Sequence, residues 1–265
     1  MPLGDAMHRL ARSAPAPLID WLQGLANRNP RARAILARLS SPMRHGAFPI
    51  ASGPAEGLLM DVAGSRPSYL LGTAEPEVVK FLVEQVKPGD TVFDLGANVG
   101  YFTLIAAALT GPAGRVMAYE PMPDNAEALR RNVQINGLGN VEVVEAAISE
   151  HDGTAEINVG PSDQAASLVT VRDRGTITVR TVSLDAEAVR VGAPAVIKCD
   201  IEGAEYGVFA GAGPVLAARP SLLCEVHRLE EGDEDRFEAI LRGRGFTLQW
   251  LDRGDWTSHL LATAR

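Results

Sequence analysis

The chain has 265 residues, 46% hydrophobic and 22% charged, with a net charge of −8. That is enough apolar material for one large domain with an extension, and too acidic a balance for general nucleic-acid affinity. Two cysteines, Cys199 and Cys224, both inside apolar runs, exclude a disulfide framework and a zinc site and read as buried thiols. No apolar run reaches the ~20 residues needed to cross a bilayer. The N-terminus lacks the basic-then-apolar pattern of a secretory signal, so a cytoplasmic location is expected.

Residues 1–46 read as an extension. Leu18, Trp21, Leu22 and Leu25 recur at helical spacing, and Ile35, Leu36 and Leu39 do so again after Pro30. Seven arginines and only two acids make this pair of short helices basic. The expected roles are packing on the main domain or a homodimer contact, with a lid or a basic docking surface as sharper alternatives. Residues 47–265 form the main domain. Its first part, 47–75, has short apolar pieces punctuated by Gly and Pro, read as a small hairpin. Pro76 then suits the first turn of a helix reaching about Val86, with Glu75 just before it.

From there strand-like and helix-like runs alternate. Strands are predicted near 91–94, 116–120, 141–145, 195–200 and 221–226, and helices near 100–110, 124–136, 204–218 and 234–243. Asp124 is the expected N-cap of the second of these helices, and Gly137 its stop. Two alternating runs, 155–159 and 176–182, flank a polar loop, 160–175, expected to be mobile. Phe246–Leu251 and His259–Thr263 add two short strands. The pattern predicts an α/β fold with a doubly wound, mostly parallel sheet, closed by antiparallel strands at one edge.

The run Thr91-Val-Phe-Asp-Leu-Gly-Ala-Asn-Val-Gly-Tyr-Phe-Thr103 is a buried strand, a glycine turn and a helix start. Such a turn lets backbone approach a cofactor at the top of a sheet. A dinucleotide site needs Gly-x-Gly-x-x-Gly, whereas the spacing here is Gly96-x-Asn98-x-Gly100 with Asp94 at the strand tip. An acid there discourages a pyrophosphate and suits an ammonium, as in S-adenosylmethionine. Glu120, twenty residues after Gly100, falls at the next strand tip, where a carboxylate can accept from both ribose hydroxyls.

The polar residues at the other strand ends are Lys198, Asp200 and Glu202, and then Glu225 and His227. If the strands stay extended, each set shares one side. Together they read as an active-site wall. His227 is the first candidate general base, with Asp200 and Glu202 as alternatives or as orienting groups. Lys198 must find a partner, because an unpaired buried ammonium is costly, and a structural Lys198–Asp200 ion pair is one outcome. Asp200, Glu202 and Glu225 could together hold a hard cation such as Mg2+. Glu202 and Glu205 also stand at a helix start, where carboxylates are stabilised without any function.

Several segments together resemble the FkbM family of S-adenosylmethionine-dependent methyltransferases. They are Asp94-Leu-Gly-Ala-Asn-Val-Gly-Tyr-Phe-Thr103, Tyr119-Glu-Pro121, Asn132 with Asn136-Gly137, Ile197-Lys-Cys-Asp-Ile-Glu-Gly-Ala-Glu205 and Cys224-Glu-Val-His227. Tyr69, Gly72, Thr73, Glu75 and Pro76 also match the segment that leads into such domains, and the resemblance covers roughly residues 48–230. It implies a class I, Rossmann-like methyltransferase fold and transfer to a hydroxyl, often on a sugar or polyketide-type natural product. The implied cofactor contacts lie at Asp94, Gly96, Asn98, Gly100 and Glu120, and near Ala147 at the adenine edge. Tyr69, Glu75, Ala97, Tyr101, Phe102, Pro121, Asn125 and Asp200 join them as candidates, with Lys198, Asp200, Glu202 and His227 on the catalytic side. A small-molecule hydroxyl acceptor is the expected partner. N-methylation, or modification of RNA or protein, is the alternative, and a nicotinamide oxidoreductase is disfavoured by Asp94 and the missing middle glycine.

Overall fold

A computed structural model describes residues 29, 46–63, 66, 68–159, 166–167, 175–230, 232–254 and 256–264. The expected N-terminal helices and nearly all of the 160–175 loop lie outside the described residues. In chain order the elements are β1 (Ala47–Pro49), β2 (Leu59–Asp61), α1 (Ser68–Leu71), α2 (Pro76–Gln85), β3 (Thr91–Leu95), α3 (Tyr101–Thr110), β4 (Arg115–Tyr119), α4 (Pro123–Ile135) and β5 (Val141–Val144). There follow β6 (Ala147–Ser149), β7 (Gly153–Val159), β8 (Ala166–Ser167), β9 (Thr176–Ser183), α5 (Leu184–Val191) and β10 (Val196–Cys199). The chain continues through α6 (Glu205–Gly211), α7 (Gly213–Ala217), β11 (Ser221–His227), α8 (Asp233–Gly243), β12 (Phe246–Trp250) and β13 (Thr257–Ala264).

The main sheet has seven strands in the order β12-β13-β11-β10-β3-β4-β5. β5, β4, β3, β10 and β11 pair in parallel, whereas β13 pairs antiparallel with both β11 and β12. The chain winds outward from β3 through β4 to β5, then returns to lay β10 on the other side of β3. That reversal opens a crevice above the carboxyl ends of β3 and β10, where such sheets bind ligands. Successive side chains of the central strands serve opposite faces. Val92, Val116 and Val196 pack in one buried cluster, and Phe93, Leu95, Met117 and Ile197 in the other. All four residues of β10 are buried, as expected of a central parallel strand covered on both sides.

A hairpin of β1 and β2 is fastened to α4 by two asparagines. Asn132 accepts from the Asp61 amide (2.8 Å) and donates to the carbonyls of Asp61 and Val99 (2.9 and 2.8 Å). Asn136 makes the same two-way exchange with the backbone of Leu59. These bonds tie the hairpin and the turn after β3 to one helix, which gives Asn132 and Asn136 a structural role.

Some expectations are corrected. The Tyr69–Leu71 piece is a helical turn, α1, rather than part of the hairpin. Asp124 is not a cap: Met122 occupies that position, and Pro123 opens α4 with its fixed φ. The helix expected over 204–218 breaks into α6 and α7 at Ala212, just before Pro214, which cannot continue an α-helical ladder. α5 was not expected; its N-cap Ser183 accepts from the Ala186 amide. The runs at 155–159 and 176–182 do pair, as β7 and β9, but in a separate sheet of order β6-β9-β7-β8. Among the described residues no helix is long and apolar enough to cross a membrane.

Candidate active site

The turn after β3 is built on left-handed backbone at Gly96 (φ 75°), Asn98 (φ 51°) and Gly100 (φ 98°). A Cβ on Gly96 would sit 1.8 Å from the carbonyl oxygen of Asp200, and one on Gly100 would sit 2.3 Å from a Leu129 methyl. Only glycine lets the β3 turn press this closely on the end of β10 and on α4. The Asn98 amide, thus aimed, donates to Glu120 Oε2 at 2.8 Å. Glu120 also accepts from the Met122 amide at 2.9 Å and from Asn125 at 3.4 Å. Burial pushes the Glu120 carboxyl up to about 7 despite these donors.

Two pockets meet along this turn. The first is lined by Gly96, Asn98, Glu120, Pro121, Asn125, Ala147, Asp200 and Glu202. Tyr119, Ala146, Ile148, Ile157 and Ile201 complete it, and none of these five was named from sequence as a cofactor contact. The second is lined by Tyr69, Glu75, Gly96, Ala97, Asn98, Tyr101, Phe102, Lys198, Asp200 and Glu202. Arg66 also lines it and was missed by the sequence reading. Tyr69 and Tyr101 stack at 4.9 Å, and Phe102 meets both edge-on. Burial raises both tyrosines to about 12, so they stay neutral donors.

Most of the sequence-selected residues therefore line one continuous cleft. Four do not: Gly100, Asp94, Glu225 and His227. Gly100 shapes the turn. Asp94 is only 1% exposed; it accepts from the Thr103 hydroxyl at 2.6 Å and ion-pairs with Lys198 at 3.4 Å, and its Oδ1 accepts no hydrogen bond from the described residues. Lys198 donates to the Gly96 carbonyl at 2.9 Å and lies 4.0 Å from Asp200. Burial works to lower the Lys198 pKa, but Asp94, Asp200 and Glu75 outweigh it and hold the ammonium charged. The structural ion pair considered for Lys198 has Asp94 as its closer partner rather than Asp200.

β10 ends at Cys199, and Glu202 turns back with φ 54°, so Lys198, Asp200 and Glu202 do not alternate along one extended strand. Left-handed backbone at a non-glycine residue is strained and collects at functional sites. The turn brings Glu202 Oε2 to 3.4 Å from His227 Nε2, while His227 Nδ1 lies 2.8 Å from Glu205 Oε1. Glu205 is buried and also accepts from the Gly203 amide at 3.0 Å, so both the ring and the turn are pinned. Burial disfavours the charged ring, yet Glu205, Asp200 and Glu202 prevail and raise His227 to about 9. Glu202 is pushed up to about 7, by burial first and then by Asp200. Glu225 is raised for the same two reasons.

The cation set read from sequence is divided. Among the described residues, Asp200, Glu202 and His227 form one group whose ligand atoms all lie within 4.8 Å of one another, and Glu75, Glu225 and His259 form another. Glu225 faces His259, its register partner on β13, at 3.8 Å.

The sheet order, with its crevice at the β3/β10 reversal, is that of a class I S-adenosylmethionine-dependent methyltransferase. Residues 94–248, more than half of the chain, match the Methyltransferase FkbM domain. The chain belongs to the FkbM family of methyltransferases. It is 30% identical over 156 residues to the hexuronic acid methyltransferase AglP of Haloferax volcanii, covering 58% of this chain and 62% of that one. It is also 30% identical over 200 residues to the 31-O-demethyl-FK506 methyltransferase FkbM of Streptomyces tacrolimicus, covering 62% and 75%. Among solved structures, the methyltransferase FkbM of Methylobacillus flagellatus KT aligns over 74% of this chain and 52% of that one, with a TM-score of 0.48 and 21% identity.

Proposed function

We propose that the protein moves the methyl group of S-adenosylmethionine to a hydroxyl of a small neutral molecule, such as a sugar or a polyketide-type natural product. The residues present fit the cofactor. Glu120 offers a carboxylate in the first pocket, where ribose hydroxyls would donate to it. Ala147, Ile148 and Ile157 offer an apolar slot for the adenine. The second pocket then takes the methionine end. When bound, the cofactor supplies an electrophilic methyl on a sulfonium leaving group.

The observation that carries the acceptor side is Glu202, which lines both pockets, lies 3.4 Å from His227 and is poised near neutrality. A general base works best with a pKa near the operating pH. Glu202 takes the acceptor hydroxyl proton as that oxygen bonds to the methyl carbon and the carbon–sulfur bond breaks. Protonated His227, fixed by Glu205, stabilises the Glu202 carboxylate and keeps it aimed at the cleft. His227 in this arrangement steadies the base rather than serving as the base. Protonated His227 places a positive charge among these carboxylates, so the proposed step calls for no metal ion.

The acids Asp200 and Glu202, which line both pockets, favour a neutral acceptor over an anionic one. In this the chain would differ from its haloarchaeal relative, whose name specifies hexuronic acid. The test is a panel of neutral sugars, amino sugars, uronic acids and macrolide alcohols incubated with enzyme, cofactor and a chelator. Methyl ethers formed on neutral hydroxyls support the reading. Methylation confined to uronates or amines, or abolished by the chelator, contradicts it.

A further inference from the structure

The second pocket contains a charge arrangement that the proposed chemistry leaves unused. Glu120 and the apolar slot lie on one side of the Gly96–Asn98 turn. A cofactor seated there extends across the turn into the second pocket, so its amino-acid end arrives among Arg66, Tyr69, Glu75 and Tyr101. That end is a zwitterion, with a carboxylate and an ammonium on one carbon.

Two cations line this pocket among the described residues, Arg66 and Lys198. Lys198 is 4% exposed and committed to Asp94 and the Gly96 carbonyl. Arg66 is different. Its side chain is 55% exposed, and Nη1 donates to Glu75 Oε1 at 2.8 Å. A guanidinium has five N–H donors in a planar fork that matches a carboxylate. Glu75 is unusual in turn. It holds the N-cap of α2 in left-handed backbone (φ 43°, ψ 67°), and its side chain makes no cap bond. An acid at a helix N-terminus would ordinarily cap it. Here the strained backbone turns the carboxylate towards Arg66 and the pocket instead.

We propose that Arg66 and Glu75 form a zwitterion clamp: Arg66 takes the carboxylate of the methionine end and Glu75 takes its ammonium. The clamp rests on the cofactor placement proposed above. Without cofactor the two side chains satisfy each other, and an exposed ion pair of this kind holds little energy. With cofactor each exchanges one charged partner for another of matching geometry, and the guanidinium gains a bidentate contact.

The test is calorimetric titration of wild type and Arg66→Gln with two ligands. S-adenosylhomocysteine has the amino-acid end, and 5′-methylthioadenosine keeps the nucleoside and thioether without it. The clamp predicts that Arg66→Gln weakens S-adenosylhomocysteine about 10- to 100-fold, the range of a lost charged hydrogen bond. Binding of methylthioadenosine stays unchanged, which also shows that the variant is folded. Glu75→Gln follows the same pattern. Unchanged affinity for S-adenosylhomocysteine, or equal weakening of both ligands, overturns the clamp. Binding of neither ligand by wild type overturns the cofactor placement, and the clamp with it.

Discussion

At the tip of β4, Glu120 is buried yet takes hydrogen bonds from two amides and Asn125. At the tips of β10 and β11, burial and then Asp200 raise both Glu202 and Glu225, and His227 is the counter-charge between Glu202 and Glu205. The first region is held by fixed backbone donors and is ready for a ligand. The second is held by mutual electrostatics and responds to each proton or charge added. A rigid half suits an invariant cofactor, and a titratable half suits proton removal from an acceptor.

The contrast can be broken by mutation. The largest effect is expected for Glu202→Gln, which should lower kcat about 100- to 10,000-fold, the usual worth of a general base. Affinity for S-adenosylhomocysteine should hardly move, and rate and binding measurements on the same preparation check both. A parallel loss of affinity would mean that the two halves are not separable. His227→Ala should lower turnover in the same direction with cofactor affinity nearly intact.

Lys198→Met should act on the fold itself. It leaves Asp94 as a buried charge without its cation, a loss of about 3–5 kcal/mol. Chemical denaturation would register it. A variant as stable as wild type would show that Thr103 alone satisfies Asp94.

A smaller effect is expected from pH, and it separates the halves again. His227 is raised above its unfolded value, so its stabilisation is complete below about pH 6.5 and is lost as pH rises through about 9. Glu120 and Glu202 hold protons up to about pH 7 when folded, so their contribution also weakens as pH rises from about 4.5 to 7. The ligand-free protein should therefore melt several degrees lower at pH 9.5 than at pH 6. Cofactor affinity should run the other way. A hydroxyl donates best to ionised Glu120, so binding of S-adenosylhomocysteine should tighten about tenfold between pH 6 and 8. Melting and titration across pH check the two signs, and a common sign would refute the division.

What could be read from the sequence follows the same boundary. The parallel strands β3, β4, β5, β10 and β11 announced themselves as apolar runs ended by polar residues, and Glu120 was placed by spacing alone. α5 and β6 were missed: β6 has three residues directly after β5, too few to show any period. Ile148 and Ile157 reach the pocket only because β6 and β7 belong to a second sheet, a tertiary fact that no local pattern carries. Asp94 was legible as a strand-tip acid, but its partner Lys198 comes from the neighbouring strand, in register. The role of Glu202 rests on a left-handed turn that the alternation rule does not anticipate. Arg66 stands outside any regular element, and its one signal was an arginine ahead of the Tyr69–Pro76 segment.

The central claim is that the Gly96–Asn98 turn and Glu120 seat an S-adenosyl cofactor. Calorimetric titration of S-adenosylhomocysteine into wild type and Glu120→Ala tests it most directly. The account predicts a single site in wild type, weakened about 100-fold in the variant by loss of the charged hydrogen bonds from the ribose. Equal affinity in the two proteins would remove Glu120 from the cofactor site, and no binding to wild type would contradict the account.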